Sequence, residues 1–294
     1  MVSPMLVSSP EVISNLPDGW YYRPSDTRGC TRLSWLESKH TFSFGDYIDP
    51  QWHHVSGLRV INEDTVAPAQ GFGWHGHQHM EIITYVRQGM LQHEDSLGNK
   101  GILQAGDWQY MHVGSGIQHK EWNPSTTTPS YFMQLWLKPY QKDAHATPHY
   151  QDQLPVQTWL ETASIHLSAV LTGAFVDPTI ARPATLMHHQ GGVGLLNVTK
   201  PEAMQPVALA PIHTVISNTL ASLEVPPTMV WLQVLEGNMT LQESVLQEGQ
   251  QSTLPILSLQ AGDGVGIPLE AFKKLSAHFL QDAMHCECLW FALS

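Results

Sequence analysis

The chain has 294 residues, enough for one large or two ordinary domains with a sizeable buried core. Apolar residues make up 42% and charged residues 14%, which excludes a disordered chain. With 14 Lys+Arg against 26 Asp+Glu, the net charge of −12 excludes a broad duplex-binding surface and a polybasic membrane patch.

Residues 1–27, rich in Ser and Pro, read as a loosely held lead-in without the basic start of a signal peptide. No apolar run approaches the roughly 20 residues of a spanning helix. The cysteines, Cys30, Cys286 and Cys288, are odd in number and sparse, so a reducing, cytoplasmic location is expected. From Leu58 onward, short apolar stretches are separated by Gly, Asn and Asp. They are LRVIN (58–62), EIITYV (81–86), YFMQLWL (131–137), TMVWLQVL (228–235) and CLWFAL (288–293). Short strands at such spacing predict an all-β barrel or sandwich. TWLETASIHLSAVL (158–171) reads equally well as helix or strand.

An internal repeat sets the architecture. YVRQGML (85–91) is followed by LQAGD (103–107), and QVLEGNM (233–239) is followed by a second LQAGD (259–263). Each copy reads as a strand, a Gly turn, a strand, and a Gly-Asp turn into another strand, the pattern of a duplicated unit. Two similar β-barrels packed face to face are therefore expected, the termini helping to seal the join. The expected division is a lead-in at 1–27, one barrel at 28–145 and another at 146–294, joined near the Pro-containing stretch 138–155.

GFGWHGHQHMEIITYV (71–86) places His75, His77, His79 and Glu81 at odd positions, all on one side of a strand. Imidazole and carboxylate donors suit Fe(II), Mn, Ni, Cu or Zn. A further donor strand is GSGIQHKEWNP (114–124), where His119 and Glu121 again share parity after the Gly106-Asp107 turn. Spacing alone leaves open which of these donors touch a metal. Trp74, Trp108, Met111 and Trp122 are candidates for the aromatic and apolar wall of a substrate pocket.

His-X-His with Glu81 four residues on, then Gly106, His119 and Asn123, resembles the two-part cupin signature. More narrowly, HTFSFGDYIDP (40–50), LRVINEDTVAP (58–68), the His-rich stretch and HEDSLGNKG (93–101) resemble the pirin family, which includes quercetin 2,3-dioxygenase-like bacterial proteins. The resemblance is dense from Arg28 to about Tyr150 and thin beyond. It implies a bicupin of two jelly-roll-like barrels, with one divalent metal, Fe(II) first among the choices. The implied ligands are His75, His77, His119 and Glu121, with Glu81 behind them orienting an imidazole or bound water, and His79 on the barrel wall or pocket rim. Two departures from the family pattern are Gly76, where pirins commonly carry Pro, and Gln78, where they carry a basic residue; His79 and Lys120 bear on substrate preference.

The spacing between Gly89 and Gly237 carries His75 and His77 onto Leu223 and Val225, and that between Gly106 and Gly262 carries His119 and Glu121 onto Leu275 and Ala277. With no imidazole or carboxylate there, the C-terminal barrel is expected to be metal-free. The resemblance implies a metal-dependent dioxygenase that opens flavonols such as quercetin with O2, Glu121 serving as base as well as ligand. The alternative is a non-enzymatic, metal-dependent regulator with a protein partner. Neither nucleic acid nor membrane is an expected partner.

Overall fold

The computed structural model describes residues 16–173, 185–201, 206–247, 250–279 and 284–294. The first strands are β1 (Tyr21–Arg23), β2 (Gly29–Arg32), β3 (Leu36–His40), β4 (Leu58–Val66), β5 (Gly71–His77) and β6 (Glu81–Gln88). There follow β7 (Met90–Asp95), β8 (Lys100–Gln104), β9 (Trp108–His112), β10 (Ile117–Trp122), β11 (Ser130–Leu137) and β12 (His149–Gln151). The second half contains β13 (Gln157–Glu161), β14 (Ile165–Thr172), β15 (Thr185–Leu186), β16 (Gly191–Thr199), β17 (Val207–Ala208) and helix α1 (Ala210–Leu220). It closes with β18 (Met229–Gln247), β19 (Gln250–Gln260), β20 (Gly264–Pro268), the short α2 (Leu269–Phe272), β21 (Leu275–His278) and β22 (His285–Leu293).

The first barrel sets a seven-stranded sheet, in the order β12-β9-β6-β11-β4-β3-β2, against a four-stranded sheet, β5-β10-β7-β8. The second is built from an eleven-stranded sheet whose main path is β1-β20-β18-β22-β16-β14-β13. The expected all-β, two-barrel class is the observed one. No helix among the described residues is long and apolar enough to cross a membrane.

The repeat read from the sequence is also a repeat of backbone geometry. Gly89 and Gly237 have φ of 76° and 77°, and Gly106 and Gly262 have 94° and 89°, a region that favours glycine. Gly106 donates to Val86 O at 2.8 Å, and Gly262 to Val234 O at 2.9 Å. The aspartate after each glycine accepts from the glutamine three residues before it, at 2.8 Å for Asp107 and 3.0 Å for Asp263. The same four-residue corner has been used twice.

Strand alternation divides every β6, β9 and β11 residue between two destinations. Ile83, Tyr85, Trp108, Tyr110, Met133, Leu135 and Leu137 face the second barrel and share a core with Val170, Val193, Trp231, Leu289, Phe291 and Leu293. Trp231 sits at its centre, its ring 5.4 Å from that of Phe42 and 6.3 Å from that of Trp52. The opposite faces of these strands, bearing Ile82, Met111, Phe132, Gln134 and Trp136, look into the first barrel.

Two segments cross the expected divisions. Residues 21–23 are not lead-in: β1 pairs with β20 of the second sheet, and Tyr22 Oη donates to Asp263. Residues 149–151 stay with the first barrel, because β12 completes the edge of β9. In both cases an otherwise open strand edge is covered. The ambiguous 158–171 is the hairpin β13–β14, whereas helix α1 gave no strong sequence signal. Its Ile212, Ile216 and Leu220 recur every four residues and plug the second barrel's core. Leu223, Leu275 and Ala277 belong to the same apolar cluster, whereas Val225 is exposed.

Candidate metal centre

β5 and β10 are antiparallel neighbours with His75 opposite His119, and β10 buries its odd-numbered residues. The donor atoms of His75, His77 and His119 all lie within 4.8 Å of one another. His77 Nε2 and His119 Nε2 are 2.9 Å apart. Two ligands at a right angle on a metal about 2.1 Å away would be separated by about 3.0 Å, so the spacing fits adjacent donors to one ion. His75 Nδ1 donates to Gly73 O at 2.8 Å, which leaves its Nε2 as a lone-pair donor.

Both His77 and His119 are held far below the usual imidazole range, at about 3. Burial is the main cause, followed by the nearby imidazoles: His119 and His75 for His77, and His75 and His93 for His119. Neutral imidazoles are the form that binds a cation.

Glu121, two residues past His119, is fully buried on the same side. Its Oε2 accepts a hydrogen bond of 2.5 Å from Gln134 Nε2, while its Oε1 has no partner. A buried carboxylate oxygen without a donor is costly unless something positive meets it. Pairing of β10 with β5 slips between His119 and Glu121, but pairing with β7 does not, so Glu121 sits opposite His93. A second close group therefore forms, His93–His119–Glu121, all three buried. The two groups share His119 and together offer four imidazoles and a carboxylate. His93, the first residue of HEDSLGNKG, joins the site although the His-X-His spacing does not single it out. Its signal was parity: His93 and Asp95 alternate with Gln92 and Glu94 on β7.

Glu81 is placed differently from the expectation that it backs the histidines. A corner at 78–80, with His79 at φ 54°, moves the chain from the four-stranded to the seven-stranded sheet. Parity restarts there, and Glu81 faces the second barrel. It accepts from Tyr110 Oη and, at 2.6 Å, from His188 N. Burial pushes its carboxyl up to about 7. His79 itself donates to or accepts nothing in the donor cluster; its Nδ1 meets Ala144 O at 3.0 Å and its ring lies 4.4 Å from that of His145.

A cavity of about 490 Å³ opens beside His75, His77 and Glu121. Its aromatic wall is Trp35, Phe44, Phe72, Trp74 and Trp136, the last set edge-on against His77 at 4.7 Å. Its polar wall is Ser38, His40, Asn62, Asp64 and Gln134, on the inward faces of β3, β4 and β11. His40 Nδ1 and Asn62 Oδ1 are 2.8 Å apart. Burial raises Asp64 to about 7, with Glu121 and Glu63 adding to the effect against the opposing hydrogen bond from Ser38.

Of the four residues expected in the pocket wall, only Trp74 lines this cavity, at its exposed rim. Trp108 stacks on Tyr85 at 4.3 Å between the barrels, and Met111 packs with Ile82, Val113 and Ile117. Trp122 is on the outward face of β10, where Lys120 lies 4.9 Å over its ring. Each is assigned by strand parity. The polar wall was detectable as Asn62 and Asp64 interrupting an otherwise apolar strand face.

Comparison with known proteins agrees with this architecture. The pirin family model matches residues 23–137. A quercetin 2,3-dioxygenase of Escherichia coli strain K12 is 36% identical over 221 residues, covering 75% of this chain and 83% of the relative. A putative quercetin 2,3-dioxygenase of Pseudomonas aeruginosa is 49% identical over 117 residues, covering 40% of this chain and 50% of the relative. Among solved structures, bacterial pirin YhhW from Escherichia coli in complex with nickel(II) superposes with a TM-score of 0.68 at 32% identity, covering 93% of this chain and 98% of that one. A further structure of YhhW gives 0.69 at 31% identity, covering 94% and 97%. This chain, an all-β bicupin, belongs to the pirin family.

Proposed function

We propose that this protein is a metal-dependent dioxygenase that opens the ring of quercetin-like flavonols with O2. One divalent transition metal, Fe(II) first and Mn, Ni, Cu or Zn otherwise, is held by His75, His77, His119 and Glu121. The observation that carries this reading is the close group of His75, His77 and His119 with buried Glu121 two residues on, beside an aromatic-lined cavity of about 490 Å³ that His75, His77 and Glu121 line. That volume falls within the roughly 300–1,000 Å³ of small-molecule sites. The nickel(II) complex of a relative and the naming of others as quercetin 2,3-dioxygenases support it.

When bound, the metal supplies Lewis acidity toward substrate oxygens and a centre for dioxygen chemistry. The protein's own residues do the rest. A flat polyphenol entering past Trp74 stacks between Trp136 and the Trp35–Phe72 pair, whose rings meet edge-on at 5.2 Å. His40, Asn62 and Asp64 offer hydrogen bonds to its hydroxyls. Gln134 holds Glu121 Oε2, and Oε1, without a protein partner, has two lone pairs, one to hold the metal and one to accept the 3-hydroxyl proton. The net reaction adds both atoms of O2 to the flavonol and releases one ring carbon as carbon monoxide, leaving a depside.

The test is oxygen uptake with quercetin by protein loaded separately with iron, manganese, nickel and copper. One O2 consumed per flavonol, with loss of the flavonol absorbance, is the expected result. If all four forms leave quercetin intact under air, the activity is not flavonol cleavage, and the metal-dependent regulator with a protein partner replaces it.

A further inference from the structure

The polar atoms around His119 are unevenly satisfied. With its Nε2 turned toward His77, the ring hydrogen of His119 belongs on Nδ1, yet that buried nitrogen has no hydrogen-bond partner. Beside it, the ring of His93 lies 5.4 Å away, centroid to centroid, at 55°. His93 Nε2 faces Asp95 Oδ2 at 3.4 Å, so its hydrogen sits there and its Nδ1 is left as a lone pair. That nitrogen is also buried and without a partner. An orphan donor and an orphan acceptor thus occupy adjacent rings in a fully buried place, where each alone is costly to leave unmet.

We propose that His93 is a positioning residue of the metal centre, receiving the Nδ1 hydrogen of His119 through one buried water and passing the polarisation on to Asp95. The chain of contacts is then His119, His93, Asp95, ending on a carboxylate that is itself fixed. Asp95 Oδ1 accepts from Leu97 N at 2.9 Å and Asn99 N at 3.0 Å, and Oδ2 accepts from Asn99 Nδ2 at 2.8 Å. The far face of His93 is stacked on Tyr150 at 4.5 Å and 13°, which sets the ring plane. Such a partner fixes the tautomer of a ligating imidazole and makes it a stronger donor. The role of the 93–101 turn is therefore to hold Asp95, and through it the orientation of one ligand.

This inference rests on the proposed metal site, and the experiment separates the two. Metal-free protein is titrated with Ni(II) against a chromophoric chelator, and the Cu(II) form is examined by electron paramagnetic resonance. Wild type is expected to take up one ion per chain; no stoichiometric binding would overturn the site and this inference together. With wild type binding, His93→Phe, which retains a ring to stack on Tyr150, is expected to lose 10–100-fold in affinity and to shift the Cu(II) spectrum. His93→Gln, whose carbonyl can still accept, is expected to recover part of the loss. Asp95→Asn keeps the Oδ1 contacts of the turn and is expected to fall between wild type and His93→Phe. Wild-type affinity and spectrum in His93→Phe would overturn the inference while leaving the site standing. Should that variant not fold, wild-type affinity in Asp95→Asn does so instead.

Discussion

Glu81→Gln separates a carboxylate that backs the histidines from one that belongs to the barrel–barrel junction. The carboxyl lies in the barrel–barrel junction, and burial lifts it from an ordinary 4.5 to about 7, against the opposing pull of its hydrogen bonds from Tyr110 Oη and His188 N. A folded pKa above the unfolded one means that the folded state binds the proton more tightly. The associated stabilisation is complete below pH 4.5 and is lost as pH rises through 7. A shift of this size corresponds to about 3 kcal/mol. Gln keeps an oxygen for the Tyr110 and His188 donors and carries no charge to desolvate, but its amide N–H replaces Oε2, which has no partner. Allowing about 1 kcal/mol for that mismatch, Glu81→Gln should be near neutral or slightly destabilising at pH 4.5 and stabilising by about 2 kcal/mol at pH 8. Urea unfolding of the metal-free variant and wild type at both pH values measures the difference. Metal affinity should be unchanged, because the carboxylate faces away from the histidines. A variant equally destabilised at both pH values, or one that loses the metal, would refute the placement of Glu81 as a buried junction acid.

The other expectations concern the site and the seam. Elemental analysis of purified protein should give about one transition metal per chain, lost in His75→Ala and in His119→Ala; two per chain would contradict the apolar filling of the second barrel. Glu121→Gln should lower metal affinity by at least tenfold in a chelator competition, more than Glu81→Gln does. Gln134→Leu removes the only hydrogen bond given to Glu121 Oε2 among the described residues and should destabilise the metal-free protein by about 2 kcal/mol. Metal should suppress that loss, and calorimetry with and without Ni(II) tests the pair. Trp231→Ala empties the centre of the junction core and should cost about 3–5 kcal/mol in chemical denaturation, splitting the unfolding into two transitions if the seam couples the barrels.

Much of the fold was legible because it is periodic. The LQAGD corners recur with the same positive-φ glycines and the same aspartate-to-amide hydrogen bonds, so two copies of one local energy minimum marked two barrels. What escaped notice was non-local. Nothing in YYR announces that it will pair with Gly264–Gly266, since an edge strand is specified by the open edge it covers. The helix at 210–220 carries its apolar residues at a spacing of four, but its β-branched content hid it among strands.

In the site, the same alternation succeeded in one motif and failed in the other. Between His119 and Glu121 the strand continues, and although its pairing with β5 slips, its pairing with β7 does not; both side chains therefore stay inside the barrel. Between His77 and Glu81 the chain turns a corner at His79, whose amide is taken by Gly114 O at 2.9 Å, and it resumes in the opposite sheet. Counting by twos across that corner puts Glu81 beside the histidines, whereas counting afresh from β6 puts it with Ile83 and Tyr85 against the second barrel. Alternation within β9 puts Trp108 on the seam and Met111 in the barrel core, and alternation within β4 and β11 turns Asn62, Asp64 and Gln134 toward the cavity. Parity is a property of one strand between two corners. A metal motif that spans a corner has to be read in halves, and here the half with an unbroken strand is the one that keeps its carboxylate beside its imidazole.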